Sequence, residues 1–286
     1  MDRRDAGRLE RIADILDIPA DAAKLIQEEL GHARLVRYRD AVHLTVEAIE
    51  ANDDADEPVV IRELDLFARR LVVVTVHDGP VAALGEFNDQ LRGDTLIGKL
   101  DAGSFLAALV DTMLTTYFEP IEAIERDIDD LDEIALRGPS NDDFLEAVLR
   151  LRRRVGLLRR TIAPHREALA PLGRTDVALD EVLGQPQPQL AERLERVIDA
   201  VENARELLVG SFDIYLGRAA QRTNEVMKVL TVLSAVLLPS VVLAGVMGMN
   251  FQPDFFNQPA NFWLVVAAMV VMAIAILALA RARRWI

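Results

Sequence analysis

Two uncharged apolar runs near the end of the chain restrict what it can fold into. Residues 229–249 carry no charged side chain, and residues 262–280 form a second run of the same kind. Each is roughly 20 residues long, enough for a helix to cross a hydrocarbon core of about 30 Å. A core helix of a water-soluble domain keeps a polar face, and these runs keep almost none. The stretch between them, "QPDFFNQPAN", is too short for a domain, so the two spans predict a helical hairpin. Arg222 and Lys228 flank the first run, and Arg281, Arg283 and Arg284 follow the second. The positive-inside rule then puts both outer ends in the cytoplasm and the loop outside. Phe255, Phe256, Phe262 and Trp263 are the expected interfacial aromatics.

A net charge of −14 coexists with 51% hydrophobic residues because the charge lies before about residue 222. An acidic chain lacks the basic face that phosphate neutralisation requires, which argues against a nucleic-acid partner. The same field attracts cations. With no cysteine, disulfides and thiolate zinc sites are excluded. The opening "MDRRDAGRLERIADIL" is charged and helical in pattern, without the apolar core of a signal peptide.

Residues 1–30 read as helical. "AVHLTVEAI" (41–49) alternates and predicts a strand, and "ANDDADEP" (51–58) is a polar turn cluster. Two more strands are expected, one near 59–63 and a stronger one at 71–77, whose apolar run suits a buried strand. From Ser104 the pattern is helical. Residues 119–136 place Ile121, Ile124, Ile128, Leu131 and Ile134 on one face and acids on the other. Residues 142–169 form a helix with a basic face, so the two predict an antiparallel hairpin of complementary charge. Charge runs of this kind are ordinarily solvated helix faces.

After "GQPQPQ" (184–189) a long helix begins. Leu190, Leu194, Val197, Val201, Ala204, Leu208, Ser211 and Tyr215 repeat with the spacing of a coiled-coil seam. No breaker intervenes before Pro239, so the helix is expected to run on into the first apolar span. A helix over 190–248 would be roughly 90 Å long. Its seam suggests a bundle of several copies. Within the span, Asn224, Met227, Leu230, Ser234, Leu238, Val241, Gly245 and Gly248 stack on one face. In a symmetric ring that face would line a tube, with bulky apolar collars between polar or small ends. The alternative is ordinary helix packing through Gly245 and Gly248.

"GMN" (248–250), closing the first of two C-terminal spans, resembles the CorA family of divalent-cation transporters. The likeness extends through "SFDIYLGRAAQRTNEVMKVLTVLSAVLLPSVVLAGVMGMNF" (211–251). "LDLFARRLVVVTVHDG" (64–79), "LVDTMLTTYFEPIEAIERDIDDLDE" (109–133) and the tail "ARARRWI" also look like family segments. The resemblance implies an α+β membrane protein, a homopentamer with an N-terminal cytoplasmic α/β domain and a long stalk helix continuous with the first of two transmembrane helices. It implies a selectivity filter at Gly248, Met249 and Asn250, with the Asn250 amide oxygens facing a hydrated ion. Asp213 and Asn224 become rings near the cytoplasmic mouth, Asp213 a further metal contact, and Leu230 and Leu238 a hydrophobic constriction. The chain departs from the family pattern at Met247, where an aromatic is common, and at Val241, where a hydroxyl would be unsurprising. Its outer loop lacks the usual Met-Pro-Glu stretch, and Asp254 is that loop's one acid. Gln185–Gln189 stands where relatives can carry a regulatory carboxylate, and an opening strand looks short or missing.

The expected organisation is a cytoplasmic α/β and helical-hairpin domain (1–185), a stalk helix (186–228), a pore-lining span (229–249), an outer loop (250–261), a second span (262–280) and a basic tail (281–286), in the cell (inner) membrane with both termini cytoplasmic. Mg²⁺ holds its waters tightly, so neutral amide and carbonyl oxygens can bind it through them and still release it. Regulatory carboxylates are sought at Asp176, Asp180, Glu181 and the 53–57 cluster. No P-loop, phosphate-cradling glycine loop or catalytic Ser/Cys/His set is present, so neither an enzyme nor an organic cofactor is expected. His32, His43, His77 and His165 are scattered and read as structural. Three readings stay open: a Mg²⁺ channel that also passes Co²⁺ or Ni²⁺, a ZntB-type zinc transporter, and a membrane-anchored oligomer that senses or scaffolds without conducting.

Overall fold

Alternating apolar and polar residues pair into an antiparallel meander of four strands, β1 (Arg34–Arg37), β2 (Val42–Ala51), β3 (Val59–Arg69) and β4 (Val72–His77), in that spatial order. The structure is a computed structural model that describes residues 5–28, 31–52, 59–93, 100–137, 141–249 and 259–283. The chain divides into two units, Met1–Phe212 and Asp213–Ile286. The first holds the sheet and helices α1 (Ala6–Ile15), α2 (Ala20–Gln27), α3 (Ala82–Gly93), α4 (Ala102–Thr115), α5 (Phe118–Arg137), α6 (Asn141–Ile162), α7 (His165–Leu169) and α8 (Val177–Leu183). Helix α9 (Pro188–Met247) begins there and contributes its distal part to the second unit, which also holds α10 (Pro259–Ala282).

The expected ranking of the strands is reversed. β3 is the long buried strand, with Leu64, Leu66, Phe67 and Ala68 inaccessible, whereas Leu71 is 88% exposed and only Val76 of β4 is buried. β4 lies at the sheet edge, and an apolar run alone does not distinguish an edge from a centre. β1 was not anticipated; four residues pairing with Val42–Thr45 are too few to show a period.

One face of the sheet carries a buried apolar patch of Val42, Leu44, Val46, Ala48, Leu64, Leu66 and Ala68, with the Arg62–Glu50 ion pair at one end of it. The opposite face is mixed. On it, Phe67 and Val76 join Leu9, Ile18, Ala22 and Ile26 in a core cluster. Beside them, His43 opposite Phe67 and Asp65 opposite Val76 are buried polar groups, as are Thr45, Glu47 and Glu63. Asp65 accepts from Thr45 (2.8 Å) and meets His43 Nε2 (2.7 Å), and Glu63 accepts from the Gly31 amide (2.7 Å). Buried polar side chains need such partners, since each unpaired one costs about 1–3 kcal/mol.

β1 ends opposite Thr45, so the outer edge of β2 beyond it needs other partners. Side chains supply them. His165 Nε2 accepts from the Glu47 amide (3.1 Å), Thr116 accepts from the Ile49 amide (3.0 Å), and the Tyr117 hydroxyl donates to the Glu47 carbonyl (3.1 Å). His165 Nδ1 faces the Thr161 carbonyl at 3.0 Å. Both histidine contacts hold together only for a neutral ring protonated on Nδ1, and burial accordingly lowers its pKa to about 4.

Helices α4 and α8 meet backbone to backbone. A Cβ on Gly103 would lie 1.8 Å from the Leu183 carbonyl oxygen, so no larger residue fits that crossing. Gly184 then ends α8 at φ +81°, where a glycine is favoured.

Helices α5 and α6 form the expected antiparallel hairpin. Ile121, Ile124, Ile128 and Leu131 are buried, but Ile134 is 39% exposed and Ala135 takes the inward position. The expected charge complementarity is nearly absent: among the described residues, Arg154–Asp127 is the one ion pair across the hairpin. The helix expected over 142–169 breaks at Pro164, after which α7 restarts.

The seam on α9 serves a different purpose from the one its spacing suggests. Leu190, Leu194, Val197, Val201, Ala204, Leu208 and Ser211 are all buried within the first unit of a single chain. Arg193 reaches Asp111 on α4 through two hydrogen bonds (2.7 and 3.1 Å), Arg159 reaches Glu202 (2.8 Å), Arg166 grips Glu195 (3.0 and 2.6 Å) and Asn203 reaches Glu125 (3.1 Å). Helix–helix packing inside one domain uses the same 3–4 spacing as a coiled coil.

Two outcomes are expected. Burial, with Glu63 beside it, pushes the Glu47 carboxyl up from 4.5 to about 7. The folded protein thus keeps a proton that the unfolded chain releases between those values, and Glu47 stabilises less as pH rises through that window. His165 has the opposite sign: stability is lost as pH falls from 6.5 toward 4. Glu47→Gln should therefore raise stability at pH 8 by roughly 2–3 kcal/mol and by little at pH 5. Thermal midpoints of both proteins across pH 5–8 check this; an equal difference throughout refutes it. Separately, Val201→Asp should destabilise the first unit by at least about 3 kcal/mol, as an unpaired buried charge does. Denaturant midpoints followed by far-UV circular dichroism measure it; a variant with wild-type midpoint but altered assembly would return the seam to an intersubunit role.

Candidate functional site

The distal part of α9 and the whole of α10 are long and apolar enough to cross a membrane, and almost none of their surface is covered within the chain. α9 stays helical through Pro239, which lacks an amide proton and costs one hydrogen bond of the ladder. Hydroxyls in this part fold back on their own helix: Thr223 to the Ala219 carbonyl (3.0 Å), Thr231 to Met227 (2.7 Å) and Ser240 to Val236 (3.3 Å). Such bonds let a polar side chain sit in hydrocarbon.

Asn224 and Ser234 differ. Both are exposed, and among the described residues neither side chain has a hydrogen-bond partner. They lie on the face that also carries Met227, Leu230, Leu238, Val241, Gly245 and Gly248, all exposed. At 3.6 residues per turn, this face is about half a turn from a second one. There Val232 is buried and Val236, Pro239, Ser240, Leu243 and Met247 are half-buried. On α10, Ala280 is the buried residue. The distal part of α9 therefore has a shaded side and, opposite it, an open side with two unpartnered polar groups. Asp213 is exposed further back on the same helix.

At the end of the span, Gly248 donates to the Ala244 carbonyl (3.0 Å) and Met249 to Val246 (3.3 Å), so the last turn tightens. Gly248 does not adopt the left-handed conformation, and a Cβ there would meet the Ala244 carbonyl oxygen at 3.4 Å. Asn250 lies outside the described residues, as do Asp254, Phe255, Phe256, Arg284 and the 53–57 acids. Phe262 and Trp263 are exposed at the start of α10 and pack edge to face with centroids 5.6 Å apart.

Of the carboxylates considered for regulation, Asp176, Asp180 and Glu181 lie among the described residues. Asp176 pairs with Arg37, and Asp180 borders a small crevice beside Gly103 and Leu183. No group of three or more metal-ligating side chains occurs among the described residues. His43 and His165 are buried in hydrogen bonds, and His77 contacts the Gly79 carbonyl (2.5 Å). The cluster of Glu47, Glu63, Asp65 and His43 was missed. Its signal was polar residues alternating on two strands, and alternation is normally read as a solvated face.

An N-terminal α/β domain followed by one long helix and a second apolar helix defines a class of two-span membrane proteins with a large soluble domain. The profile of the family described as "CorA-like Mg2+ transporter protein" matches residues 1–281, and the chain belongs to that family. A cobalt/magnesium transport protein CorA of Thermotoga maritima is 32% identical over 197 residues, 67% of this chain and 55% of the relative. The match thus spans about half of that protein's length. A zinc transport protein ZntB of Klebsiella pneumoniae is 24% identical over 251 residues, covering 86% of this chain and 73% of that one. The fold is that of the complete CorA magnesium transporter from Methanocaldococcus jannaschii, with a TM-score of 0.77, 20% identity and coverage of 100% and 90%.

Proposed function

We propose that the chain carries divalent cations, Mg²⁺ foremost and Co²⁺ or Ni²⁺ beside it, passively into the cell through a pore ringed by five copies. The observation that carries this reading is the open face of α9. It is continuous from Asn224 to Gly248, lies opposite the shaded side, and holds two polar side chains that have no hydrogen-bond partner among the described residues. In a ring those groups meet water and hydrated ions, while Met227, Leu230, Leu238 and Val241 form apolar collars that can gate by drying. Gly245, Gly248 and Met249 bring the helix end to Asn250, whose amide oxygens hold the ion by its waters.

Both termini are assigned to the cytoplasm and the chain to the inner membrane, from the arginines that flank the two spans. The 229–249 and 262–280 segments are then the membrane helices, 250–261 the outer loop, 186–228 the stalk and 281–286 the cytoplasmic tail. Entry of one divalent ion at −100 mV releases about 5 kcal/mol, so no nucleotide is needed and no enzymatic step is involved. A second reading, a zinc transporter, is favoured by the ZntB relative and by the departures of the outer loop from the CorA pattern. A non-conducting scaffold gives the unpartnered Asn224 and Ser234 no role.

Flux into proteoliposomes separates the three. Mg²⁺ uptake, blocked by Asn250→Ala while native mass spectrometry still counts five copies, is the expected result. Asn250→Asp should bind divalent ions and transport them poorly, since five carboxylates around one axis hold a cation too tightly and repel one another. Zn²⁺ uptake without Mg²⁺ uptake selects the second reading, and no flux at all the third. The chain has no cysteine, so single replacements can be labelled cleanly. Ser234→Cys should react with a water-soluble thiol reagent in the assembled protein and Leu243→Cys should not. The reverse pattern would place the pore on the other side of α9.

A further inference from the structure

Exposed charges on α5 and α6 mark two complementary surfaces. On one side, α6 and α9 border a groove of 790 Å³ within the first unit. Leu145, Leu149, Val209 and Phe212 lie along it, and Leu149 and Val209 are about half exposed (52% and 51%). Arg152 and Arg160 stand on its rim and make no ion pair among the described residues. On the other side, α5 presents an exposed ridge of Glu122, Asp129, Glu133 and Leu136, spaced so that all four share one helix face. Arg126 stands within the ridge, which is otherwise acidic. None of these residues borders the groove.

We propose that the groove receives the α5 ridge of a second copy of this chain. The inference rests on the reading that several copies surround one axis. A head-to-tail contact between two different patches closes a ring when the rotation closes. Rotation about an axis along the helices leaves height unchanged, so residues that meet across the interface must be level with each other. The Arg154–Asp127 bridge sets the heights within the hairpin. Both helices rise 1.5 Å per residue in opposite directions. Counting from the bridge, Leu136 is level with Leu145, Asp129 with Arg152, and Glu122 with Arg159, one residue from Arg160. An apolar tip thus faces an apolar floor, and acids face arginines at two further levels. Charge complementarity at matched heights is what favours a second copy over another anionic occupant. Opposed charges of this kind govern which patches meet and how the contact responds to salt.

The cysteine-free chain allows a direct test. Copies carrying Arg152→Cys under one tag are mixed in mild detergent with copies carrying Asp129→Cys under another, then oxidised. A disulfide joining the two tags is expected. In a separate arm, Arg152→Glu with Arg160→Glu should raise the concentration at which the assembly half-dissociates by about tenfold. Adding Asp129→Arg and Glu122→Arg should restore it to near the wild-type value. The restoration excludes a folding defect as the cause. If native mass spectrometry shows five copies while neither the cross-link nor the charge reversal has an effect, this interface is wrong and the pore reading stands. If the wild type is monomeric, the pore reading itself fails. If assembly is unaffected and the arginines instead bind vesicles containing phosphatidylglycerol, or inorganic phosphate raises the melting temperature of the wild type alone, the occupant is not a second copy and the proposal is overturned.

Discussion

Burial of the α9 seam within its own chain is the contact on which the rest depends. From Leu190 to Ser211 the helix spends its apolar stripe on α4–α7 of the same subunit. Three arginine–carboxylate pairs flank that stripe, two of them bidentate. Long helices draw most of their stability from such packing rather than from propensity. Beyond Ser211 the same helix continues without a break and is mostly exposed. One element therefore belongs to two environments, and its register is determined in the first of them. Within the second unit, the helical period of α9 alone puts the residues of the open face, Asn224 to Gly248, on one side. Pro239 removes one rung and the helix persists.

The exposed apolar surface of the second unit is far too continuous for water. Lipid satisfies one side of such a helix as well as protein does, so hydrophobicity does not by itself select partners there. Selection comes from the few polar groups. Thr223, Thr231 and Ser240 bond back to their own helix and need nothing further. Asn224 and Ser234 do not. That difference distinguishes the two sides of α9 in its distal part.

The sheet shows how polar groups are retained in a dry domain. Thr116, Tyr117 and His165 close the open edge of β2, which would otherwise offer unpaired amides and carbonyls. On the mixed face, Glu47 sits beside Glu63 with a carboxyl raised to about 7, so at neutral pH the domain holds a buried acid close to its titration point. Tyr117, 6.2 Å from His165 in an edge-to-face contact, stays protonated because burial and the neighbouring Glu47 both raise its pKa.

Much of this was legible in the chain because it depends on local pattern. The absence of charge over 229–249 and 262–280, the flanking arginines and the unbroken helical period from Leu190 are sufficient for two spans and a continuous helix. So is the alternation at 41–49 for a strand, and the stacking of Asn224, Ser234 and Gly248 on one side. Partnership was not legible. The same 4-3 spacing serves a seam between copies and a seam inside one domain, and only the fold shows that Leu190–Ser211 is covered by its own chain. An apolar run reads the same at an edge as at a centre, so β4 looked stronger than β3. Polar alternation at His43, Thr45, Glu47, Glu63 and Asp65 does not by itself show that the face is buried. Periodicity records which residues share a side of an element, because that is geometry of one helix or strand. What lies against that side is set by contacts between segments far apart in sequence, and those exist only once the chain has folded.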